Sequence, residues 1–380
     1  MDKTGYLGTL ICMERLKRNW SQEGLCKDIC SVSYLSKIEC GKAEASEEIY
    51  SLLLGKLGIE YSCDIEKEAY GLVEKAYEAL FSGDYSGLSQ LLSEENVELM
   101  RYTQRGIDIE LIRSFSSGDR FVIESELEKC MDKRALALQR LFQGRSEEAI
   151  LLFPNAFIYY EVGICAYSRG DYVRSIEYLQ RAYELSAVDG SAKLMILCKL
   201  FLGGCCCNRL DMEGAERHYS SARRLARALG DTMAIEQMDY NLAATGIECG
   251  NYENSYAHFS ALKTPDMMSL HKLAICCEKT GRITEAAEAL DKAEKMHCDY
   301  PPQDLAADML SLVRFRIEDK NYLKNNAYGE RLLGVFERCR QELSMGYAIF
   351  HMPWILEWYK ATRQYKKALE LMEEFPQNKY

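Results

Sequence analysis

One turn recurs along this sequence, and its register limits the fold more than any other feature. A Gly-Asp-Tyr cluster or a relative of it sits between two apolar stretches, with equivalent turn positions at Asp84, Arg145, Asp171, Asp211, Asn251, Arg282, Asn321 and Gln364. Two successive intervals, Asp171 to Asp211 and Asp211 to Asn251, are both 40 residues. Behind the turns, small residues return in step at Ala149, Ala215, Ala286 and Ala368, and large ones at Phe153, Tyr219, Phe259 and Leu290. A helix cannot bury its apolar stripe alone, so this repetition predicts stacked helical hairpins, each covering the next. The small residues let two helices approach closely, which explains their recurrence without any appeal to function. A weaker hairpin is expected to turn near Asp119.

Composition agrees with an all-α chain. Only six prolines occur among 380 residues and none precedes Pro154, while Leu, Ala, Glu, Lys and Tyr are abundant. The charge-free stretches at 200–208 and 345–356 fall well short of the roughly 18 apolar residues a membrane span needs. The start Met1-Asp2-Lys3-Thr4-Gly5 has no basic region leading into an apolar run, so the expected location is cytoplasmic. Sixteen cysteines are scattered through amphipathic segments, with adjacent runs at Cys205–Cys207 and Cys276-Cys277 and no paired C-x-x-C knuckles. They read as reduced, small apolar core residues, a redox sensor being the minor alternative. The five histidines are dispersed, and no Walker, Rossmann or GxSxG motif is present, so neither an enzyme nor a cofactor or metal is implied. Gly203-Gly204 sits in a helical stretch, where it permits close approach rather than cradling phosphate.

The first sixty residues differ in charge from the rest. They hold eight Lys/Arg against nine Asp/Glu, which leaves ten of the eleven net negative charges to the remaining chain. Four helices are expected here. The first spans 6–18, with Leu7, Leu10, Ile11 and Leu16 near one face; the second spans 22–29, with Ser21 as N-cap. After a tight break at Cys30-Ser31, a third runs from Val32 to Glu39 and buries Leu35 and Ile38. Gly41 ends it, and a fourth follows at 47–57 with Ile49, Leu52, Leu53 and Leu57 at helical spacing. Two short helices joined by a short turn and flanked by two others form the helix-turn-helix plan.

Ser21-Gln22-Glu23-x-Leu25 followed by Ser33-Tyr34-Leu35-Ser36-Lys37-Ile38-Glu39-x-Gly41-Lys42 resembles the lambda-repressor-like (Xre) family. Cys26 and Cys40 depart from the family's usual Ala and Asn. The Ile29-Cys30-Ser31 turn is similar to the shorter one of PlcR-type peptide-pheromone regulators. The resemblance implies that Val32, Ser33 and Lys37 face base edges in the major groove. It implies phosphate contacts from Gln22, Ser31, Ser36 and Lys42, and a buried ion pair between Arg15 and Glu39.

Tyr159-Tyr160-Glu161-Val162-Gly163-Ile164-Cys165-Ala166, the turn Gly170-Asp171-Tyr172, then Ser175, Leu179 and Ala182 match the tetratricopeptide pattern. A lambda-repressor-like domain joined to such repeats resembles the RRNPP family of Gram-positive peptide-sensing (quorum-sensing) regulators. The division expected is a DNA-binding domain at 1–62 and a tetratricopeptide-like α-solenoid at 63–380 for ligand binding and dimerisation. What the resemblance implies is a homodimeric transcription regulator whose partners are a double-stranded DNA operator and a short intracellular peptide. Ten residues before each turn, the inner helix carries Glu161, Phe201, Asn241, Lys272 and Trp354. An inward Asn241 amide suits a peptide backbone, and Lys272 and Lys279 suit a carboxylate, with Tyr160, Tyr167, Gln237 and Tyr240 as walls. Trp354, Trp358 and Tyr359 are the candidate dimer surface, core packing being the competing explanation. Two other readings stay open: an interaction scaffold whose repeats bind a protein partner, and a mobile-element repressor whose repeats chiefly dimerise.

Overall fold

The structure, a computed structural model, describes residues 5–118, 123, 125–297 and 301–375. Among the described residues there are twenty-two α-helices and no strand. Contacts divide the chain into two compact units, Met1–Val162 with Arg181–Leu194, and Gly163–Gln180 with Met195–Tyr380.

The first unit opens with α1 (Tyr6–Lys17), α2 (Gln22–Cys26), α3 (Val32–Glu39) and α4 (Glu47–Lys56). Ser21, Ser31 and Ser46 cap the last three, each accepting a backbone N–H from three residues on. The second helix stops at Cys26 rather than running to 29. Asp28 takes a left-handed conformation (φ 65°) that its short polar side chain tolerates, so the turn begins at Lys27. Gly41 (φ 66°) ends α3, with the Lys42 N–H reaching the Lys37 carbonyl at 2.8 Å and the Gly41 N–H reaching Ile38 at 2.9 Å. Leu7, Ile11, Leu25, Leu35, Ile38 and Leu53 form the core beneath these helices. Leu16, expected on the buried face of α1, is 58% exposed.

After α4 come α5 (Cys63–Ser82), α6 (Tyr85–Leu91), α7 (Glu94–Met100), α8 (Gly106–Ser117), a 3₁₀ turn at Ser125–Cys130, α9 (Lys133–Phe142) and α10 (Ser146–Leu152). The hairpin turn expected at Asp119 lies outside the described residues. Tyr6 of α1 joins a second core with Ile107, Leu111, Met131 and Ala135, so α1 is buried on two sides. Beneath it, Tyr77 donates to the fully buried Asp108 at 2.7 Å, and the Arg134 guanidinium lies over the Tyr77 ring while gripping Glu74.

Three helices are divided between the units: α11 (Ala156–Ser168), α12 (Tyr172–Asp189) and α13 (Ala192–Cys207). The second unit continues with α14 (Met212–Leu229), α15 (Thr232–Glu248), α16 (Tyr252–Ser260), α17 (Met267–Lys279), α18 (Ile283–Ala293) and α19 (Gln303–Glu318). A 3₁₀ turn at Tyr322–Lys324 precedes α20 (Asn326–Glu342), α21 (Met345–Ala361) and α22 (Tyr365–Glu374).

The turn register holds throughout, with one exception. Asp84, Arg145, Asp171, Asp211, Asn251, Arg282 and Gln364 each stand immediately before the second helix of a hairpin. Each is preceded by a left-handed residue, a glycine except at Leu210 (φ 57°) and Arg363 (φ 60°). The turn residue's own N–H then reaches back five residues, from Asp211 to the Cys206 carbonyl at 2.9 Å and from Asn251 to Gly246 at 2.7 Å. This satisfies carbonyls that the first helix would otherwise leave bare. Asn321 differs: it opens only the 3₁₀ turn, and α20 starts at Asn326. Ala149, Ala215 and Ala286 are fully buried, as are Leu179, Tyr219 and Leu290. Ser175 and Ser255 occupy the small position in their repeats and donate to the carbonyls of Gly163 (2.9 Å) and Ala243 (2.8 Å), binding the two helices of each hairpin. A methyl group at Gly203 would lie 2.1 Å from the Tyr219 ring, which accounts for glycine there.

Candidate functional site

On α3, Leu35 and Ile38 are buried while Val32, Ser33 and Lys37 are exposed and Ser36 is half-exposed. At 100° per residue those four side chains fall within an arc of roughly 140° opposite the core. Lys42, just past the helix end, is also exposed. Ser31 is engaged as the N-cap, accepting from the Tyr34 N–H at 3.2 Å. Gln22 is half-buried and its amide donates to Glu39 Oε2 at 2.7 Å. Glu39 is in turn held by Arg15, whose Nε and Nη2 donate at 2.6 and 2.9 Å while Nη1 reaches the Trp20 carbonyl at 2.7 Å. This fork joins α1, the start of α2 and the end of α3 through one nearly inaccessible carboxylate. The exposed face of α3 is thereby fixed relative to its two neighbours.

In the second unit a cavity of about 530 Å³ opens between α13, α15, α17 and the first turns of α21. Tyr167, Gln237, Tyr240, Asn241 and Lys272, five of the expected contact residues, line it. Lys279 lines a smaller cavity of about 170 Å³ with Trp354 and Glu357, and Glu248 and Phe350 border both spaces. Tyr160 is not in either. It belongs to the first unit, buried beside Phe157 with ring centroids 6.4 Å apart.

The side-chain amides of the larger cavity are already paired. The Asn241 amide donates to the Tyr219 hydroxyl at 3.1 Å and accepts from Gln237 Nε2 at 2.9 Å. Asn208, which counting from the turns did not single out, makes another amide-to-phenol contact at a different register position, donating to the Tyr167 hydroxyl at 3.0 Å. Burial holds both phenols above their ordinary range, so they stay protonated and each can still donate. Asn241 is therefore a strut between α14 and α15 with hydrogen-bonding capacity left over, not a free amide.

Lys272 is buried, and its ammonium sits 3.0 Å from the centroid of the Phe350 ring. Burial pushes this ammonium down, with the nearby Glu248 pulling it back up. Burial likewise pushes the Glu248 carboxyl up, against the pull of Lys272. The pair thus holds its charges weakly near neutrality, and an anionic group entering the cavity would favour the protonated lysine.

Other expected features settle into structural roles. Trp354, Trp358 and Tyr359 are buried within the second unit, Trp358 against Gly329 and Trp354 beneath the Arg316 guanidinium, so they offer no free dimer surface. Arg316 itself is bound by Glu278, Glu357 and Tyr328. Burial pushes the Cys198, Cys205 and Cys276 thiols up to about 12, far from the thiolate that reactivity needs. Among the described residues no cluster of His, Cys, Asp and Glu suits a metal ion, and no helix is long and apolar enough to cross a membrane.

Residues 13–62 match the helix-turn-helix family model. No curated protein matches the chain. Among solved structures, a Rap protein complexed with Competence and Sporulation Factor is 14% identical, with a TM-score of 0.54 over 81% of this chain and 96% of that one. PlcR of Bacillus thuringiensis, solved with the peptide PapR7 and DNA, is 17% identical over 62% of this chain and 99% of that one, with a TM-score of 0.31. The chain is thus all-helical, with a domain of the helix-turn-helix family at residues 13–62 and the fold of a Rap-like helical-repeat protein.

Proposed function

We propose that this chain is a cytoplasmic, sequence-specific transcription regulator whose DNA affinity is set by a short signalling peptide held in the repeat cavity. On this reading residues 1–62 read DNA, and residues 63–380 bind the peptide and pair two copies, in the manner of RRNPP regulators. The observation that carries it is the coexistence of two surfaces in one chain. One is the exposed Val32–Ser33–Ser36–Lys37 face of α3; the other is an amide- and phenol-lined cavity with one buried ammonium. Extended peptides are recognised by side-chain amides along the backbone and by pockets for alternate side chains. Asn208, Gln237 and Asn241 provide the amides, and Lys272 would meet a carboxylate.

Two measurements test it. Selection from random duplexes should enrich one motif, lost with Ser33→Ala or Lys37→Ala; no enrichment would refute DNA reading. Native mass spectrometry of protein purified from its own host should reveal a bound peptide of roughly five to ten residues, lost on Lys272→Met. Wild-type protein carrying no peptide, with DNA affinity indifferent to host peptide extract, would refute the control by peptide. To act as a switch the peptide must bind one DNA-affinity state more tightly than the other, because equal affinity shifts nothing.

A further inference from the structure

Helix α22 carries an apolar stripe that the repeat register marks as an interior surface. Met372 is the eighth residue after the turn position Gln364, the site occupied after earlier turns by Leu179, Tyr219, Phe259 and Leu290. Those four are 0–1% exposed, whereas Met372 is 43% exposed. Leu369 and Tyr365 continue the stripe at 57% and 63%. At 100° per residue the three fall within roughly 60°. A different face anchors the helix: Ala368 and Leu371 are half-buried, and Phe375 stands edge-on to Phe336 with centroids 6.2 Å apart.

The charges of α22 run against its own dipole. Lys366 and Lys367 occupy the first turn, and Glu373 and Glu374 the last, the reverse of what a helix alone favours. Lys366 and Glu373 flank the stripe on one side, roughly 20° apart in projection. Their present engagements are slight. Lys366 reaches Glu370 at 3.7 Å with both side chains exposed, and Glu373 has no ion pair among the described residues. Glu374 is held by Arg340 at 2.6 Å.

We propose that this face is a two-fold self-association surface, on which α22 of a second copy of this chain packs antiparallel. Antiparallel pairing lays Leu369 and Met372 of one copy against those of the other. It sets Lys366 of each copy beside Glu373 of its partner, twice over by symmetry. Parallel pairing would carry the flank of Lys366 and Glu373 to opposite sides of the seam in the two copies, so neither would meet its complement. The inference deepens the homodimer element of the proposed function and replaces the aromatic surface that the second unit buries.

Sedimentation equilibrium of the full chain without DNA tests it. The stripe is small, so a weak, concentration-dependent dimer is expected, with dissociation in the region of about 1–100 μM. Leu369→Glu should weaken it by roughly tenfold or more, since a charge then lies at the centre of the contact. All three apolar side chains are exposed, and unchanged helical circular dichroism will confirm that the fold survives. Lys366→Glu and Glu373→Lys should each weaken the dimer, and the double reversal should restore it. A strictly monomeric chain, a dimer indifferent to Leu369→Glu, or a double reversal weaker than either single variant would each overturn the proposal. Motif selection on random duplexes tests DNA reading separately, so a monomer that still selects a motif refutes this surface alone.

Discussion

Arg15 and Glu39 form a two-pronged ion pair whose side chains are almost inaccessible, at 9% and 3% exposure. The pair spans α1 and α3, so it fixes the angle at which the exposed α3 face is offered. Removing one partner leaves a buried charge unmatched, and Glu39→Gln should cost about 3–5 kcal/mol. Replacing both by apolar residues should cost much less than the sum of the single changes. Urea unfolding of the four variants, with hydrogen exchange in α1–α3, reads this cycle. Additive losses would mean that the two side chains do not act together.

Lys37 and Lys42 should separate in their salt and sequence dependence. Lys37→Ala should lose about 1–3 kcal/mol on the selected motif and little on unrelated DNA. Lys42→Ala should weaken every duplex alike and lower the salt slope by about one. Fluorescence anisotropy across a salt series on two duplexes distinguishes the two patterns.

Two glycines of α20 should respond with opposite signs. A methyl group at Gly329 would lie 2.0 Å from Trp358, so Gly329→Ala forces that large ring to move and should cost about 1–3 kcal/mol. Gly334 has nothing within 4 Å of the equivalent position, and Gly334→Ala should stabilise by about 0.5–1 kcal/mol. Thermal melts of both variants decide it, and loss at Gly334 would contradict the stated geometry.

Acid should loosen the second unit through its buried histidines. Burial pushes His351 down to about 4 and His271 well below its ordinary value, with Lys272 also disfavouring protonation of both. The folded pKa lies below the unfolded value, so between pH 6.5 and 4 the unfolded chain binds more protons, and stability falls as pH drops through that window. Glu248 in the same unit and Glu161 in the first act oppositely, because burial pushes their carboxyls up to about 7. Their cost is relieved as pH falls. Comparing wild type with His351→Gln cancels these carboxyls: between pH 7 and 5 the variant should lose about 2 kcal/mol less. Parallel pH profiles would remove His351 from the account.

The sequence carried the hairpin register to within a residue, because each turn is a local event: a left-handed residue, a back-reaching N–H and a small residue four places on. The same arithmetic located Phe201, Asn241 and Lys272 in one cavity. It stopped at a single helical position, however. Counting one or two turns further along the same faces reaches Gly204, Ala244, Asn208 and Glu248, all of which line the space. Ser344 at the N-cap of α21, with Tyr347 and Phe350 inside it, stands well over 70 residues from the turn at Asn251, and no local pattern announces such a contact. Leu16 and Tyr160 went astray for related reasons. A stripe on one helix does not reveal which neighbour covers it, and tertiary contacts alone decide that Tyr160 belongs to the first unit.

In the proposed peptide-binding role, the two amide–phenol struts, Asn208 to Tyr167 and Asn241 to Tyr219, would make the cavity a comparator rather than a vacancy. An incoming group that borrows either amide must match the bond it displaces, in direction as well as strength, or leave a phenol oxygen without the N–H it accepts from. Ligands that merely fit the volume gain little, and a near-miss with one polar atom misplaced is rejected more sharply than a smaller ligand that leaves both struts untouched. Discrimination would then lie in the wall's existing bonds, and evolving a new specificity would mean changing a tyrosine and an asparagine together.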